Sequence, residues 1–238
     1  MPLPIVFLHA FPYSPAMWAE QVELVSRHPV LVPDILGYPS LEAAAAEVLL
    51  QMDDQGWDKA VFVGLSMGGY TIFRLWNLAS ERFAGMALAD TRATPDSPEG
   101  KATRAEQAAR IRGEGMGFYP DVLIPSHLGK TTRESRSKVV EQVRRFQLAA
   151  DPEKTARSLE ALSTRPDSMP MLREISVPAL VLVGEEDTIT PLADARQMAH
   201  GIQDSRMLVI PEAGHMSNLE NPKAFNTALL GFLAELGR

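Results

Sequence analysis

One serine of this sequence lies where a hydroxyl group could become a nucleophile. Ser66 sits in the pentapeptide Gly64–Gly68, between the apolar run Val61–Val63 and a helix-like run that reaches Ala79. This order of strand, tight turn and helix predicts that the hydroxyl is exposed above the end of the strand. The two glycines suit the turn because side chains there would collide where strand and helix nearly touch. The start of the helix also favours negative charge beside Ser66.

A serine hydroxyl reacts when a base takes its proton, and the base needs a carboxylate that orients it and stabilises its cation. His215 and Asp187 could be these groups, since each follows a short apolar run typical of a strand. His215 lies 28 positions after Asp187, which leaves room for one helix and one strand between them. Because parallel strands present their carboxyl ends at one edge of a sheet, we expect Ser66, Asp187 and His215 to meet there.

Ser66 and His215 also have plainer interpretations. Ser66 could be a structural serine in a nucleotide-type glycine-rich turn, although no Walker lysine follows it and no GxGxxG pattern occurs. His215 could be a loop histidine satisfied by its neighbours. The other histidines are interpreted as structural: His9 as a brace within its own loop, and His28, His127 and His200 as surface or packing residues.

The acid of this constellation has three competitors. Asp187 could be a helix-capping or turn residue, in which case Glu186 or Glu185 beside it would supply the carboxylate. Asp90 also ends a predicted strand, and some hydrolases draw the acid from that earlier strand. Asp187 is our first choice because it follows a predicted strand and its exit turn and lies 28 positions before His215, with room for one helix and one strand between them.

Acyl transfer also requires hydrogen-bond donors for the oxyanion. One is expected to be the backbone N–H of Met67, the residue after the nucleophile, and the other should come from the loop after the first strand. Pro12 has no N–H, which leaves Phe11 as the first choice and Ala10 as the second. The side chain of Phe11 is therefore expected to contact the substrate.

Short apolar runs alternate with helix-like runs over much of the chain, which predicts an α/β fold with about six strands, mostly or wholly parallel. The strands are predicted near residues 3–8, 29–33, 59–65, 83–89, 178–184 and 207–210. Helix starts are indicated by a capping residue, usually followed by proline. These lie at Ser14-Pro15, Ser40, Asp151-Pro152, Thr190-Pro191 and Asn221-Pro222.

Residues 92–176 interrupt the alternation with helical patterning alone. We predict a core formed by residues 1–91 and 177–238, with 92–176 inserted as a helical lid. Three lid residues could line an apolar acyl pocket or pack within the lid: Met116, Phe118 and Tyr119.

The predicted lid is more basic than the core. Residues 91–176 carry 15 Lys and Arg against 12 Asp and Glu, while the whole chain has a net charge of −7. A basic lid could draw an anionic substrate to the site. Charges on solvated helix faces would give the same balance.

Composition excludes several other classes of protein. The net charge of −7 argues against a nucleic-acid partner, and the absence of Cys excludes disulfides, thiolate metal sites and a cysteine nucleophile. No apolar run approaches the ~18 residues that span a bilayer. The start Met1–Pro4 lacks the basic region of a signal peptide, so we expect a cytoplasmic protein.

The motifs taken together resemble the α/β-hydrolases of the esterase and lactonase group, in particular 3-oxoadipate enol-lactonase-like proteins. They lie at His9–Pro12, Met17-Trp18, Gly64–Gly69, Gly184–Asp187 and Gly214–Pro222. In this fold the triad follows the order Ser, Asp, His. The resemblance implies an α/β-hydrolase fold with a Ser66, Asp187 and His215 triad and neither metal nor cofactor.

Two positions depart from the family. Ala10 stands where the family usually has Gly, and an alanine would be strained there if φ were positive. The family usually begins with an antiparallel hairpin, which we expect to be absent because so little chain precedes Leu3. A strand left at the edge would need cover, for instance from a second copy in a homo-oligomer.

The residues and the resemblance predict a serine hydrolase that cleaves a small carboxylic ester or lactone through an acyl-enzyme. The same triad could serve thioester or C–C bond cleavage, lyase chemistry or cofactor-free perhydrolysis. A hydrolase-fold receptor would instead bind a ligand with little turnover. Dehalogenase chemistry is disfavoured because it uses an aspartate where Ser66 stands.

Overall fold

The computed structural model describes residues 2–237, and a six-stranded sheet forms its centre. The strand order is β2-β1-β3-β4-β5-β6, and each neighbouring pair is parallel. The prediction of about six parallel strands is therefore confirmed. The strands are β1 (Ile5–Leu8), β2 (Val30–Leu31), β3 (Ala60–Leu65), β4 (Phe83–Ala89), β5 (Ala179–Gly184) and β6 (Ser205–Ile210).

Helices cover both faces of the sheet, as a parallel sheet requires. Strands β1, β3 and β5 are buried along their whole length, and separate apolar clusters pack on the two faces. The helices of the α/β layers are α1 (Ala19–Leu24), α2 (Leu41–Asp54), α3 (Met67–Ala79), α9 (Leu192–Gly201), α10 (Ser217–Glu220) and α11 (Pro222–Leu236). Short 3₁₀ helices lie at Pro15–Trp18, Ser80–Arg82 and Pro170–Glu174.

Five further helices follow one another between β4 and β5. They are α4 (Pro98–Glu114), α5 (Tyr119–His127), α6 (Lys130–Ser135), α7 (Ser137–Leu148) and α8 (Pro152–Ser163). Residues 92–176 contain no strand. The division into a core and a lid stays a prediction.

Most helix starts follow the capping pattern. The side chains of Ser40, Asp151 and Asn221 each accept a hydrogen bond from the backbone N–H three residues later. Ser14 makes no such bond, and the helix expected after it begins as a 3₁₀ turn. Thr190 does not cap α9 either, because its hydroxyl donates to Asp187 instead.

One expectation concerned the edges of the sheet. Among residues 2–237, the sheet ends at the two-residue β2 on one side and at β6 on the other. Cover of an edge by a second copy stays a prediction.

Ala10 is not among the described residues with positive φ, so the backbone strain considered for an alanine at this position does not arise. None of the helices within 2–237 is long and apolar enough to cross a membrane.

Gly68 joins the sheet to helix α3 by a very close approach. A Cβ at this position would overlap the backbone carbonyl of Leu8 in β1. Because that carbonyl belongs to a buried strand, we expect Gly68→Ala to destabilise the protein by about 1–3 kcal/mol. Urea unfolding would measure this change.

Gly113, near the end of α4, provides the matched control. A Cβ there would meet nothing within 4 Å, and alanine favours helix, so Gly113→Ala should stabilise by roughly 0.5–1 kcal/mol. Equal unfolding midpoints for the two variants would contradict the importance of the close approach at Gly68.

Candidate active site

Ser66 occupies the sharp turn between β3 and α3. Its φ of 54° and ψ of −110° lie in a region that L-residues rarely adopt, and such strain persists only where the surroundings impose it. Gly64 and Gly68 make the turn possible, since a Cβ on Gly64 would lie 2.5 Å from the carbonyl carbon of Gly68. The hydroxyl is thereby held at the carboxyl edge of the sheet.

The structure brings Ser66, Asp187 and His215 into one row of hydrogen bonds. The Oγ of Ser66 lies 2.8 Å from Nε2 of His215, and Nδ1 of His215 lies 2.8 Å from Oδ2 of Asp187. All three residues are at least nine-tenths buried. In this arrangement the imidazole can accept the serine proton while the carboxylate holds its other nitrogen.

Backbone and side-chain donors fix the carboxylate of Asp187. Its Oδ1 accepts hydrogen bonds from the N–H groups of Ile189 and Thr190, and its Oδ2 accepts one from the Thr190 hydroxyl at 2.7 Å. Burial by itself would raise the pKa of Asp187, but His215 and these donors outweigh it and hold the pKa below its ordinary value. Asp187 therefore stays charged beside the imidazole.

Asp90 lies close behind the triad without contacting His215. Its Oδ1 accepts from the N–H of Gly184 at 2.7 Å, and its Oδ2 is hydrogen-bonded to the hydroxyl of Ser217. Burial, followed by the charge of Asp187, raises its pKa well above the ordinary value. The pKa values of the two carboxyl groups are thus driven apart, that of Asp90 upward and that of Asp187 downward.

The two glutamates considered as acids are engaged elsewhere. Glu186 accepts hydrogen bonds from the N–H and the hydroxyl of Thr131 at 2.8 and 2.5 Å. Glu185 accepts from the N–H of Glu212. Neither side chain has a hydrogen bond to His215, so within residues 2–237 Asp187 is the acid that the structure places on the imidazole.

Glu220, which the sequence analysis did not single out, holds the loop of the histidine. Its Oε1 accepts from the N–H groups of Gly214 and Met216, on either side of His215, at 2.9 and 3.1 Å. Its Oε2 accepts from Gly129 at 2.8 Å. The side chain is buried, and it ties the histidine loop to the helices between β4 and β5. The sequence offered one signal for Glu220, because it lies in the Gly214–Pro222 motif around the histidine.

The expected oxyanion donors are unused by the protein. Among residues 2–237, the N–H groups of Phe11 and Met67 have no hydrogen-bond acceptor. The alternative donor, Ala10, gives its N–H to the sulfur of Met17 at 3.2 Å. Met67 begins α3, so its N–H is one of the free donors at a helix start. The Phe11–Pro12 peptide bond is cis.

A cavity of about 140 Å³ opens beside Ser66 and His215. This is below the roughly 300–1,000 Å³ of pockets for drug-sized ligands, so it favours a small acyl or alcohol group. Besides these two residues, its lining comprises Phe11, Met67, Tyr70, Arg92, Arg104, Gln107, Tyr119, Leu123, Ser126, His127, Leu159, Leu162 and Ile189.

The three lid residues proposed for an acyl pocket are placed differently. Tyr119 lines the cavity, and its ring lies edge-on to that of Phe11 at 6.3 Å. Met116 does not line it, because its side chain packs in the apolar core. Phe118 does not line it either, and its ring lies beneath the guanidinium of Arg110 at 3.7 Å.

Three arginines surround a buried aspartate at one end of the cavity. Asp96 Oδ1 lies 3.2 Å from Arg92 and 2.7 Å from Arg165, and Oδ2 lies 2.5 Å from Arg104. Burial would raise the pKa of Asp96, but Arg104 and Arg165 outweigh it and lower the pKa. Three cations against one carboxylate leave an excess of positive charge, and Arg92 and Arg104 line the cavity.

Three of the remaining histidines match their structural interpretation. His9 is buried, its Nδ1 lies 2.9 Å from the carbonyl oxygen of Ala10 in its own loop, and its Nε2 accepts from the N–H of Ile35 at 2.9 Å. His28 bonds the carbonyl of Leu3, and His200 is exposed. His127 differs, because it is buried and faces the same cavity as Ser66.

Local signals mark only some of these additional cavity residues. Arg104 and Gln107 are three residues apart and so share a face of α4, and Arg92 follows a strand end. Nothing in the sequence around His127 distinguishes it. No cluster of three His, Asp or Glu within residues 2–237 could hold a metal ion.

Comparisons with known proteins show the family and the fold. The model of the alpha/beta hydrolase family matches residues 5–228. A thermophilic esterase from Thermogutta terrifontis is 36% identical and aligns over 100% of this chain and 92% of its own, with a TM-score of 0.96. The enol-lactonase from Burkholderia xenovorans is 32% identical over 98% of this chain and 92% of its own, with a TM-score of 0.89.

A curated relative gives the same result. The 3-oxoadipate enol-lactonase 2 of Acinetobacter baylyi is 27% identical over 235 residues, which cover 94% of this chain and 86% of that protein. The resemblance to esterases and lactonases drawn from the sequence motifs is therefore confirmed. Because the family model matches residues 5–228, nearly the whole chain, this chain belongs to the alpha/beta hydrolase family.

Proposed function

We propose that the protein is a serine hydrolase that cleaves a small carboxylic ester or lactone bearing an anionic group. The observation that carries the proposal is the row of hydrogen bonds from Ser66 through His215 to Asp187, open to a cavity on the serine side. Relatives that are themselves described as an esterase and as enol-lactonases support this reaction class.

The proposed reaction uses groups whose positions are described above. Ser66 Oγ attacks the carbonyl carbon while His215 Nε2 takes its proton, and Asp187 stabilises the imidazolium. The N–H groups of Phe11 and Met67 bind the oxyanion. His215 then returns the proton to the leaving alkoxide, which departs as an alcohol, and water cleaves the acyl-enzyme by the same route in reverse. In a lactone, the alcohol stays attached to the acyl chain.

An anionic substrate is favoured by the arginines in the cavity wall. Most charged residues of the predicted lid are exposed, and some of them pair with one another, as Arg112 does with Glu153 and Glu160. Arg92 and Arg104 instead face the cavity, and Asp96 balances only part of the local charge. The structure of the Thermogutta terrifontis esterase, described as malate bound, is compatible with a carboxylate ligand.

The predicted lid, residues 92–176, is proposed to select the substrate. It supplies the two arginines, Gln107, Tyr119 and the apolar wall formed by Leu123, Leu159 and Leu162. The residues outside it that line the cavity include the proposed nucleophile, base and oxyanion donors. The proposed nucleophile, base and oxyanion donors thus lie outside the segment that is proposed to select the substrate.

A panel of small esters, lactones and thioesters, each with a neutral and a carboxylate-bearing member, tests this proposal. We expect the highest kcat/KM for an anionic ester or lactone. Labelling of Ser66 by a fluorophosphonate should block the activity. Preference for thioesters would mean that the triad serves thioester cleavage instead. Labelling of Ser66 without turnover of any member of the panel would indicate a ligand receptor.

Arg104→Met should weaken catalysis of anionic substrates selectively. Hydrogen bonds to charged groups are worth about 1.5–3 kcal/mol, so we expect kcat/KM for the anionic member to fall roughly 10- to 100-fold and that for the neutral member to change less than about threefold. The control is Arg110→Met on the same helix, because Arg110 is exposed and pairs with Glu114. Equal losses for both substrates would contradict the anionic preference.

A further inference from the structure

His127 is the last residue of α5 and lies beside the proposed base. The centres of the His127 and His215 rings are 5.6 Å apart. The carbonyl of His127 also accepts the N–H of Met216, the residue after His215, at 3.1 Å. His127 is thereby fixed next to the reacting groups, yet the proposed triad does not use it.

Two buried side chains determine which nitrogen of His127 carries the proton. The Nε2 of Gln147 donates to the hydroxyl of Tyr13 at 3.0 Å, and that hydroxyl lies 3.0 Å from Nδ1 of His127. Since the Tyr13 hydroxyl accepts a hydrogen bond from the Gln147 amide, its own single proton is directed at Nδ1 of His127, its one other partner within residues 2–237. Nδ1 is then the acceptor, and the ring proton resides on Nε2.

The imidazole of His127 is also neutral throughout the range in which hydrolases act. Burial, followed by the charge of His215, lowers its pKa to about 3. Protonating it would place two cations side by side whenever His215 carries the serine proton. His127 is therefore suited to donate one hydrogen bond without competing for the proton in transfer.

The donor nitrogen of His127 is unpaired within the described residues and accessible, and the ring lies in the cavity wall. Among residues 2–237, Nε2 of His127 has no hydrogen-bond partner, and it is not one of the unpartnered polar atoms that are sealed from solvent. The ring lines the same cavity as Ser66 and His215. The free N–H therefore faces the space in which a substrate of Ser66 would lie.

From this geometry we infer that His127 Nε2–H donates a hydrogen bond to the oxygen with which His215 exchanges its proton. That oxygen is the leaving-group oxygen during acylation and the attacking water during deacylation. The inference rests on the proposed hydrolase function and adds a residue to it. Tyr13 and Gln147 act as positioning residues, because they hold His127 in the required tautomer.

A donor at this place helps both half-reactions. Negative charge develops on the leaving oxygen before His215 has fully delivered its proton, and a fixed N–H stabilises that charge. In the second half-reaction the same N–H binds the water oxygen and leaves a water proton directed at His215. No proton moves to or from His127, so the balance of the reaction is unchanged.

The dependence of rate on the leaving group tests the inference. For one acyl group, esters of alcohols with different pKa values should be compared between wild type and His127→Leu. We expect kcat/KM to fall about 100-fold for alkyl esters but less than about tenfold for the p-nitrophenyl ester, since a good leaving group needs less help. A loss equal for every ester would overturn the inference.

Further variants separate this role from packing. His127→Gln keeps an amide donor and should restore the leaving-group dependence in part, while Tyr13→Phe should reproduce the loss in weaker form. The control is His200→Leu, because His200 is exposed on α9 and should leave the dependence unchanged. If His127→Leu unfolds, the Gln and Phe variants still decide the question.

Nitrogen NMR of protein labelled with ¹⁵N-histidine gives an independent answer. We expect His127 to show a neutral ring with its proton on Nε2, without titration between pH 5 and 9, and to lose that fixed tautomer in Tyr13→Phe. A ring with its proton on Nδ1 would overturn the inference even if the wild type hydrolyses esters. Absence of any ester or lactone hydrolysis by the wild type would instead remove the proposed function.

Discussion

Ser66→Ala is expected to lower kcat for a short p-nitrophenyl ester about 10⁶-fold, because loss of the nucleophile disables the whole triad. Binding and the oxyanion donors remain in this variant, so a small residual rate above that of water is compatible with the proposal. Steady-state hydrolysis, measured with protein free of contaminating esterase, gives the number. Alanine lacks only the hydroxyl, so the variant should unfold at nearly the same temperature as the wild type.

The matched control is Ser163→Ala, since Ser163 is the last residue of α8 and its hydroxyl bonds only the carbonyl of Glu160 within residues 2–237. This variant should keep its activity and its labelling by fluorophosphonate. Full activity of Ser66→Ala would end the proposal. A single-turnover burst of the wild type without a steady state would indicate a ligand receptor.

Asp187→Asn is expected to reduce kcat about 10⁴-fold with little change in structure. The amide would present a donor to Nδ1 of His215, where the carboxylate now accepts at 2.8 Å. The imidazole would then hold its proton on Nε2, and it could not accept the proton of Ser66. Rates measured from pH 5 to pH 9 should stay low throughout, because no titration restores the carboxylate.

Asp90→Asn is the control for this prediction and separates the two buried acids. A carboxyl group and an amide have nearly the same shape. The amide oxygen can keep the bond from the Gly184 N–H, and the amide NH2 can donate to the hydroxyl of Ser217, which now donates to Asp90. We expect activity to change less than about tenfold. A loss as large as that of Asp187→Asn would mean that Asp90 carries part of the acid function.

The stability of Asp90→Asn should depend on pH in a definite direction. Wild-type Asp90 ionises near pH 3.8 when unfolded but holds its proton to a higher pH in the folded protein, where burial and the charge of Asp187 raise its pKa. Above pH 3.8 the unfolded chain therefore binds fewer protons, and the wild type loses stability as pH rises. Asparagine has no such loss. The unfolding free energy of the variant should thus increase relative to the wild type as the pH rises above 3.8.

The fold was largely predictable because its signals are local. Residues of a parallel strand are buried on both faces, so short apolar runs marked each of the six strands within a few residues. Helix α3 begins at Met67 and β4 spans Phe83–Ala89, as expected from the sequence. Where an alternative partner existed the prediction failed, as at Thr190, whose hydroxyl binds Asp187 rather than a helix start.

The row formed by Ser66, Asp187 and His215 was foreseen for a topological reason. Each residue follows a strand, and the carboxyl ends of parallel strands share one edge, so chain order alone predicts their approach. The sequence favoured Asp187 but could not exclude Glu186, because both follow the same strand. The structure distinguishes them through the direction of each side chain, as Glu186 points to Thr131 and Asp187 to His215.

The sequence by itself determined which reactive residues the chain contains and which strands they follow. A serine lies on a tight turn, an acid and a histidine follow later strands, and there is no cysteine. Only the tertiary structure decided what surrounds them. Arg104 and His127 come from helices whose approach to Ser66 depends on packing over long sequence separations, and no local pattern encodes that packing. The tautomer of His127 depends on Tyr13 and Gln147, two residues 134 positions apart that meet only in the folded chain.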